Sequence, residues 1–360
     1  MYAYVLINRS ALKNNVSVLR NIVGPDVKIM SVIKANAYGH GLVETARILQ
    51  EAGSDWFGVI DLAEATQLRK EGITRPILVM GATPEEDFDL AQQQSVSLTI
   101  PGQINFEKVT GLPKIHLKID TGMTRLGIFP NDTLDYIGRL LDRGFSIEGI
   151  FSHFANASDA VYSSNQLKKF QDLVQKINAA ALKPIFHIAN SAATLTRNDT
   201  HLDLVRTGIA TYGLSPFSHM PSFGVGALQP VLSFHTKIVH VKNISQGTYV
   251  GYGCTFKAEK DMKIAVIGVG YAEGFDRGLS NIGEVLIHGK RCRVLGRVCM
   301  NQTIVDISNL SKCNVGDEVT LIGKQGDEEI TSDEVASKIG TINYEVVTRI
   351  PTHIPRLYID

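Results

Sequence analysis

The strongest constraint in this chain is a repeated alternation. Short apolar, β-branched runs occur at 28–33, 56–60, 76–80, 96–100, 114–119, 147–152, 184–188 and 201–206, and helical periodicity fills the stretches between them. Parallel strands cannot be joined by tight turns and need crossovers, usually helices. Eight βα units in roughly 200 residues predict a (β/α)8 barrel, with a doubly wound open sheet as the alternative. Helix starts agree with this reading. Asp61 with Glu64 reads as a capping box, as does Thr83 with Glu86 around Pro84. Asn131 reads as the cap of a helix whose apolar face is Leu134, Ile137, Leu140 and Leu141.

Near residue 230 the texture changes to alternating strands, such as 234–241, punctuated by turns at 251–253, 281–283 and 288–290. Thr331 with Glu334 marks one short helix. The expected fold is therefore α/β, a TIM-type barrel over 1–229 and a mostly β domain over 230–360. The first few residues are free to pair with that second domain.

Composition removes several functions. The 36 Lys+Arg balance 36 Asp+Glu at a sequence pI near 7.1, so neither a nucleic-acid partner nor polybasic membrane adhesion is expected. No apolar run approaches the ~18 residues of a membrane span, and the first eight residues lack the basic and apolar regions of a secretory leader. Cys254, Cys292, Cys299 and Cys313 show neither zinc spacing nor a disulfide framework. The expectation is a cytoplasmic protein with reduced cysteines and no metal.

A barrel keeps its chemistry at the C-terminal ends of its strands. Those ends carry Lys34 to Gly41, Lys118 with Asp120 to Arg125, His153, Asn190-Ser191, and Arg206 to Ile209. Cations and hydroxyls gather there without paired carboxylates, which excludes a two-carboxylate glycosidase and most magnesium sites. Ser191 opening a helix and the Gly208-Ile209 amides fit a phosphate. A lysine facing a phosphorylated ligand suits either a Schiff-base aldolase or a pyridoxal-phosphate enzyme, and fold logic does not choose between them. On strand 114–119, alternation sets Lys114, His116 and Lys118 on one face, so Lys118 points into the barrel if helices cover the other. Taken singly, the same residues have plain readings. Lys34 is a solvated lysine, Arg206 pairs with Asp203, His153 is a core histidine and Tyr252 is a turn aromatic.

Three longer blocks alter that balance. Val32-Ile33-Lys34-Ala35-Asn36-Ala37-Tyr38-Gly39-His40-Gly41, Asp120-Thr121-Gly122-Met123-Thr124-Arg125-Leu126-Gly127 and Asn190-Ser191-Ala192-Ala193 resemble the alanine racemase family of fold-type III pyridoxal-phosphate enzymes, as does Val298-Cys299-Met300. The resemblance covers essentially the whole chain and implies a barrel followed by a β domain. It implies that Lys34 binds pyridoxal 5'-phosphate and acts on one face of the substrate Cα. Tyr252, from the partner in a homodimer, acts on the other. Arg206 donates to the pyridine nitrogen with His153 behind it, while Tyr38, Asn190, Ser191, Gly208 and Ile209 complete the cofactor site. Arg125 and Met300 address the substrate carboxylate, Tyr271, Arg277 and Arg297 line the entrance, and Lys118 is carbamylated. The implied reaction is interconversion of L- and D-alanine for peptidoglycan. A broader serine or lysine racemase and a non-catalytic pyridoxal-phosphate carrier are the alternatives. Two positions depart from the family: Asn301 stands where aspartate is common, and Thr352 where many members carry tyrosine.

Overall fold

The computed structural model describes residues 2–217 and 227–360. It divides into two compact units, Ala11–Ala37 with Leu42–Gln229, and Met1–Ser10 with Tyr38–Gly41 and Pro230–Asp360. Segment 218–226, which falls in the span expected for the barrel, lies outside the described residues.

The first unit is a parallel barrel of eight strands. They are β1 (Lys28–Val32), β2 (Trp56–Val59), β3 (Ile77–Val79), β4 (Ser97–Ile100), β5 (Ile115–Lys118), β6 (Ile147–Phe151), β7 (Ile185–His187) and β8 (Leu204–Thr207). Neighbours pair in sequence order, and β8 returns beside β1 with Lys28 opposite Leu204. Two backbone bonds nearly close the ring, from Asp203 to Phe186 (3.1 Å) and from Arg206 to Ala189 (3.0 Å). The TIM-type reading therefore holds and the open sheet does not. Each predicted run contains its strand except the last, which starts later, because His201 still caps the turn Asn198–Thr200, and ends one residue beyond the run at Thr207.

Local sequence explains the helices unevenly. Asp61 accepts from the Glu64 amide (2.9 Å) and caps Leu62–Lys70, while Glu64 returns to the Ile60 amide (3.0 Å). Thr83 does not cap: Pro84 precedes a 3-10 turn, Glu85–Asp87, that has no side-chain cap. Asn131 does not cap either, because Pro130–Asp132 is itself a 3-10 turn leading into Thr133–Asp142. That turn rotates the helix, so its buried face is Thr133, Tyr136, Ile137 and Leu140, while Leu134 and Leu141 are exposed.

Inside the barrel the strands divide the lumen. Met30, Trp56, Leu78 and Leu204, from β1, β2, β3 and β8, form an apolar cluster. The opposite wall is polar. His116 on β5 meets His187 on β7 and sits edge-on to Trp56 at 5.4 Å, which places the His116 and Lys118 face of β5 inward, as alternation requires.

The second unit is built on one large sheet. Tyr4–Asn8 lies between Leu232–Ile244, antiparallel, and Arg356–Ile359, parallel. Thr331 caps Ser332–Ile339 as expected, and a second helix, Asn343–Thr348, follows. Residues 38–41 fasten to this unit: Tyr358 donates to the His40 carbonyl (2.8 Å) and Arg356 to that of Gly39 (3.0 Å). Among the described residues no helix is long and apolar enough to cross a membrane.

Gly127 lies in the turn after β5 with φ +128°, and a Cβ there would stand 2.6 Å from the Asp120 amide nitrogen. Gly127→Ala is expected to cost about 2–3 kcal/mol. Denaturant unfolding should show a lower midpoint at unchanged slope.

Candidate active site

The mouth of the barrel begins with an unusual turn after β1. Ala35, Asn36, Ala37 and Tyr38 all have positive φ, from 52° to 54°, which makes a left-handed turn of four non-glycine residues. Such a run costs on the order of 1–2 kcal/mol per residue and persists only where the surroundings hold it. Here Glu64 accepts from the Asn36 amide (3.2 Å), and the Asn36 side chain accepts from the Leu42 amide (2.9 Å). The turn sets Lys34 at its start, half-buried. Burial and then Arg125 lower the Lys34 pKa, with Glu64 opposing, so its neutral amine is more accessible than that of a solvated lysine.

Arg206, on β8, is among the largest fully buried side chains of the described residues. It does not pair with Asp203, whose carboxylate accepts from the Phe186 amide (2.7 Å). Instead its guanidinium donates to His187 Nδ1 (2.8 Å), the Ser152 carbonyl (2.7 Å), the Ile188 carbonyl (3.1 Å) and His153 Nδ1 (3.1 Å). Its Nε–H is buried without a partner. Burial pulls the Arg206 pKa down to about 9, still above neutral, so the group stays cationic. Both histidines must then accept from it. Burial and the Arg206 charge hold His153 and His187 well below the ordinary imidazole range, and both stay neutral.

Beside this centre, Ser191 Oγ accepts from the Gly208 amide (2.9 Å) and the Ala210 amide (3.3 Å). Asn190 caps the helix Ser191–Thr196 by accepting from the Ala193 amide (3.0 Å), and Ile209 is fully buried next to the cradle. Lys118 is buried, with its ammonium 5.4 Å from the Phe151 ring centroid. Burial, followed by Arg206, Arg125 and Lys34, lowers its pKa to about 8, with Asp120 opposing. Arg125 itself is exposed, on a loop that Asp120 shapes by accepting from the Gly122 and Thr124 amides (2.9 and 3.0 Å). Lys34, Lys118, Arg125, Arg206 and His153 are thus brought together with Ser191, Gly208 and Ile209. Cations gathered in this way make a place for an anionic ligand. Among the described residues no cluster of three or more His, Cys, Asp or Glu is placed to hold a metal.

The remaining candidates belong to the second unit. Tyr252, Tyr271, Arg277, Arg297 and Met300 line one cavity of about 270 Å3, although they come from three separate stretches of chain. Tyr252 stands between Gly251 and Gly253, both at φ 73°, and is 71% exposed. Gly270 allows the approach: a Cβ there would meet the Cys299 carbonyl at 2.2 Å, where Tyr271 donates its amide (3.1 Å). Tyr38 is in this unit too, its ring 6.1 Å from that of Tyr344, and burial raises its phenol to about 12. Asn301 donates to Glu273 (2.7 Å), a contact in which aspartate would place two carboxylates together. Sequence reasoning missed His187 and Glu148. Neither sits in a motif, and only the inward face of β5 pointed toward them.

Similarity to known proteins agrees in extent. Residues 7–216 match the family model for the alanine racemase N-terminal domain and residues 231–358 that for the C-terminal domain. The alanine racemase of Methanococcus maripaludis is 42% identical, over 98% of this chain and 97% of its own. Among solved structures, the alanine racemase of a D-cycloserine-producing Streptomyces lavendulae superposes with a TM-score of 0.94 at 34% identity, covering 100% of this chain and 97% of its own. That of Bacillus anthracis with bound L-Ala-P gives 0.92 at 36% identity, covering 99% and 95%.

The neutral histidines carry a pH signature. Unfolded, His153 and His187 take up protons near pH 6.5; folded, they do so only well below it. Stability should be level above about pH 6.5 and fall below it by about 1 kcal/mol per histidine per pH unit. Thermal unfolding followed from pH 7 to 5 checks this, and a constant midpoint over that range would contradict it.

Proposed function

The chain belongs to the alanine racemase family, and from that premise we propose that it interconverts L-alanine and D-alanine by two-base chemistry on pyridoxal 5'-phosphate. The observation that carries the cofactor assignment is the orphaned, buried Nε–H of Arg206. A pyridine nitrogen is an acceptor that such a donor fits, and an unpaired buried donor otherwise costs about 1–3 kcal/mol. The hydroxyl and amide cradle of Ser191, Gly208 and Ala210 fits a phosphate, and Lys34 with its lowered pKa fits an amine that bonds to a carbonyl carbon.

When bound, pyridoxal phosphate supplies the electron sink for the charge left at Cα. The rest falls to the chain. Lys34 holds the cofactor, and its Nζ moves the proton on one face of Cα. Tyr252, contributed by a second copy of the chain in a homodimer, moves the proton on the other through its phenol oxygen. Two groups on opposite faces are what inversion demands, since a single base would return the proton to the side it left. Arg206 keeps its own proton and leaves the ring nitrogen unprotonated. The sink is then weak, which favours quick reprotonation at Cα over transamination. His153 and Asn190 hold the frame around Arg206 and Ser191, with Ile209 and Tyr38 at the phosphate. Arg125 and Met300 take the substrate carboxylate, and Tyr271, Arg277 and Arg297 line the approach.

We take 1–229 as the barrel domain and 230–360 as the β domain, with residues 1–10 and 38–41 belonging by their contacts to the second. The working place of such an enzyme is the cytoplasm, where its D-alanine enters peptidoglycan. Lys118 is assigned a carbamate: a buried lysine with a pKa near 8 holds enough neutral amine at neutral pH to add carbon dioxide and release a proton. The product is an anion within the field of Arg125. Native mass measured in bicarbonate buffer should show one added CO2 that is absent in Lys118→Ala.

Three assays test the main reading. Purified protein with pyridoxal phosphate should racemise alanine faster than serine or lysine. Faster serine or lysine turnover would instead assign broad specificity, with Thr352 as the responsible departure, and no racemisation would favour a carrier. Lys34→Ala and Tyr252→Phe should each lose about 10³-fold or more in kcat. Mixed dimers of those two variants should regain activity at hybrid sites, and verified heterodimers without recovery would contradict the contribution of Tyr252 in trans.

A further inference from the structure

The reaction described above uses only the guanidinium of Arg206, yet that group is the end of a longer string running down the barrel axis. His187 Nδ1 accepts from Arg206 (2.8 Å). The other nitrogen of the ring, Nε2, lies 2.9 Å from His116 Nδ1. The other nitrogen of His116 is buried without a hydrogen-bond partner among the described residues and faces Glu148 Oε2 at 3.6 Å, an electrostatic contact. Glu148 also accepts from Ser97 (2.5 Å) and Lys114 (2.8 Å), and Lys114 is solvent-exposed. The string therefore joins the mouth of the barrel to its opposite end.

Donor and acceptor chemistry gives this string one direction. A guanidinium only donates, so His187 must offer the Nδ1 lone pair and carry its proton on Nε2. That proton can go only to His116 Nδ1, so His116 in turn carries its own on Nε2. The ring then needs an acceptor at its far side, and Glu148 is the one present. Burial works against the Glu148 charge, but His116, Lys114 and Ser97 outweigh it and pull the pKa down to about 2, so the carboxylate is ionised. Packing fixes both rings. His187 stacks on Phe151 at 4.8 Å and 4°, and His116 lies over Gly149, where a Cβ would stand 2.3 Å from its Nδ1.

We propose that Glu148 and His116 are positioning residues that act through His187 to hold and polarise the Arg206 guanidinium from the far end of the barrel. Each hydrogen bond strengthens the next when all point one way, as when a carboxylate orients a metal-ligating histidine from behind. The charged groups that face the string are Arg206 at one end and Glu148 with Lys114 at the other. This proposal rests on the assignment of Arg206 to the ring nitrogen.

The test uses the full chain loaded with pyridoxal phosphate and isotope-labelled at the histidine ring nitrogens. In the unsubstituted protein at neutral pH, nuclear magnetic resonance should show both His116 and His187 neutral and protonated on Nε2. Glu148→Leu should mix the His116 tautomers and lower kcat about tenfold, with KM within about twofold. It should also raise, by about threefold, the share of turnovers lost to transamination. In that side reaction the alanine amino group passes to the cofactor, one water is consumed and pyruvate leaves. Glu148→Gln retains an acceptor oxygen and should recover kcat to within about threefold of the unsubstituted protein. An imidazolium or Nδ1-protonated signature for either ring in the unsubstituted protein overturns the string. Equal losses in the Gln and Leu variants, with the pyruvate share unchanged, overturn the positioning role. Absence of racemisation in the unsubstituted protein overturns the proposed reaction instead, and the tautomer readout, which needs no turnover, still decides the string.

Discussion

A buried guanidinium that meets no carboxylate among the described residues is the constraint around which the barrel is arranged. Removing Arg206 from water costs several kcal/mol unless its protons are met. An acidic partner would meet the charge but would also cancel it. Here two carbonyls and two neutral imidazoles accept instead. The positive charge survives, and the imidazoles are kept neutral by their burial and then by the same charge they stabilise. The polar wall of β5 to β8 is the consequence, and the apolar cluster of β1, β2, β3 and β8 fills what remains of the lumen. Barrel interiors are ordinarily layered with branched aliphatics. This one replaces part of that packing with polar groups around a cation.

The same economy of charge appears at the mouth. Lys34, Lys118 and Arg125 each lower the proton affinity of their neighbours, and Asp120, the nearby acid, has its Oδ1 taken up by two backbone amides of its loop. An enzyme that must use a lysine as a base at neutral pH gains from such crowding, because the neutral amine becomes accessible without a dedicated base beside it. The left-handed turn from Ala35 to Tyr38 belongs to this arrangement as well. It is a costly way to leave a strand, and it is held by two helix starts, Glu64 in the first turn of one accepting from Asn36 and the Leu42 amide of the next donating to the Asn36 side chain.

Much of this was legible in the residues. Parallel strands buried on both faces read as apolar runs, and all eight were visible for that reason. Asp61 and Thr331 cap because a side-chain oxygen two or three residues before an amide suffices. Thr83 and Asn131 failed because 3-10 turns, which leave no distinct mark in composition, displaced the helix starts. The inward face of β5 followed from period two. That His116 would meet His187, seventy-one residues away, did not, since contacts across a barrel depend on strand tilt and register rather than on local pattern. The cavity of Tyr252, Tyr271, Arg277, Arg297 and Met300 is a similar case: the family resemblance pointed to its members, but only the fold of the second unit brings them together.

The direction of the Arg206 string bears on why the barrel suits this chemistry. A cation that only donates, at one end, and a carboxylate that only accepts, at the other, leave each intervening imidazole a single tautomer. Any reversal would set two N–H groups face to face in a dry interior, where neither could turn to water. In that proposal the order of the site comes from the two ends of the string, Arg206 on β8 and Glu148 on β6. Such an arrangement needs strands that begin at one end of a cylinder and finish at the other. A parallel barrel supplies those, and an open sheet, with no enclosed axis, does not.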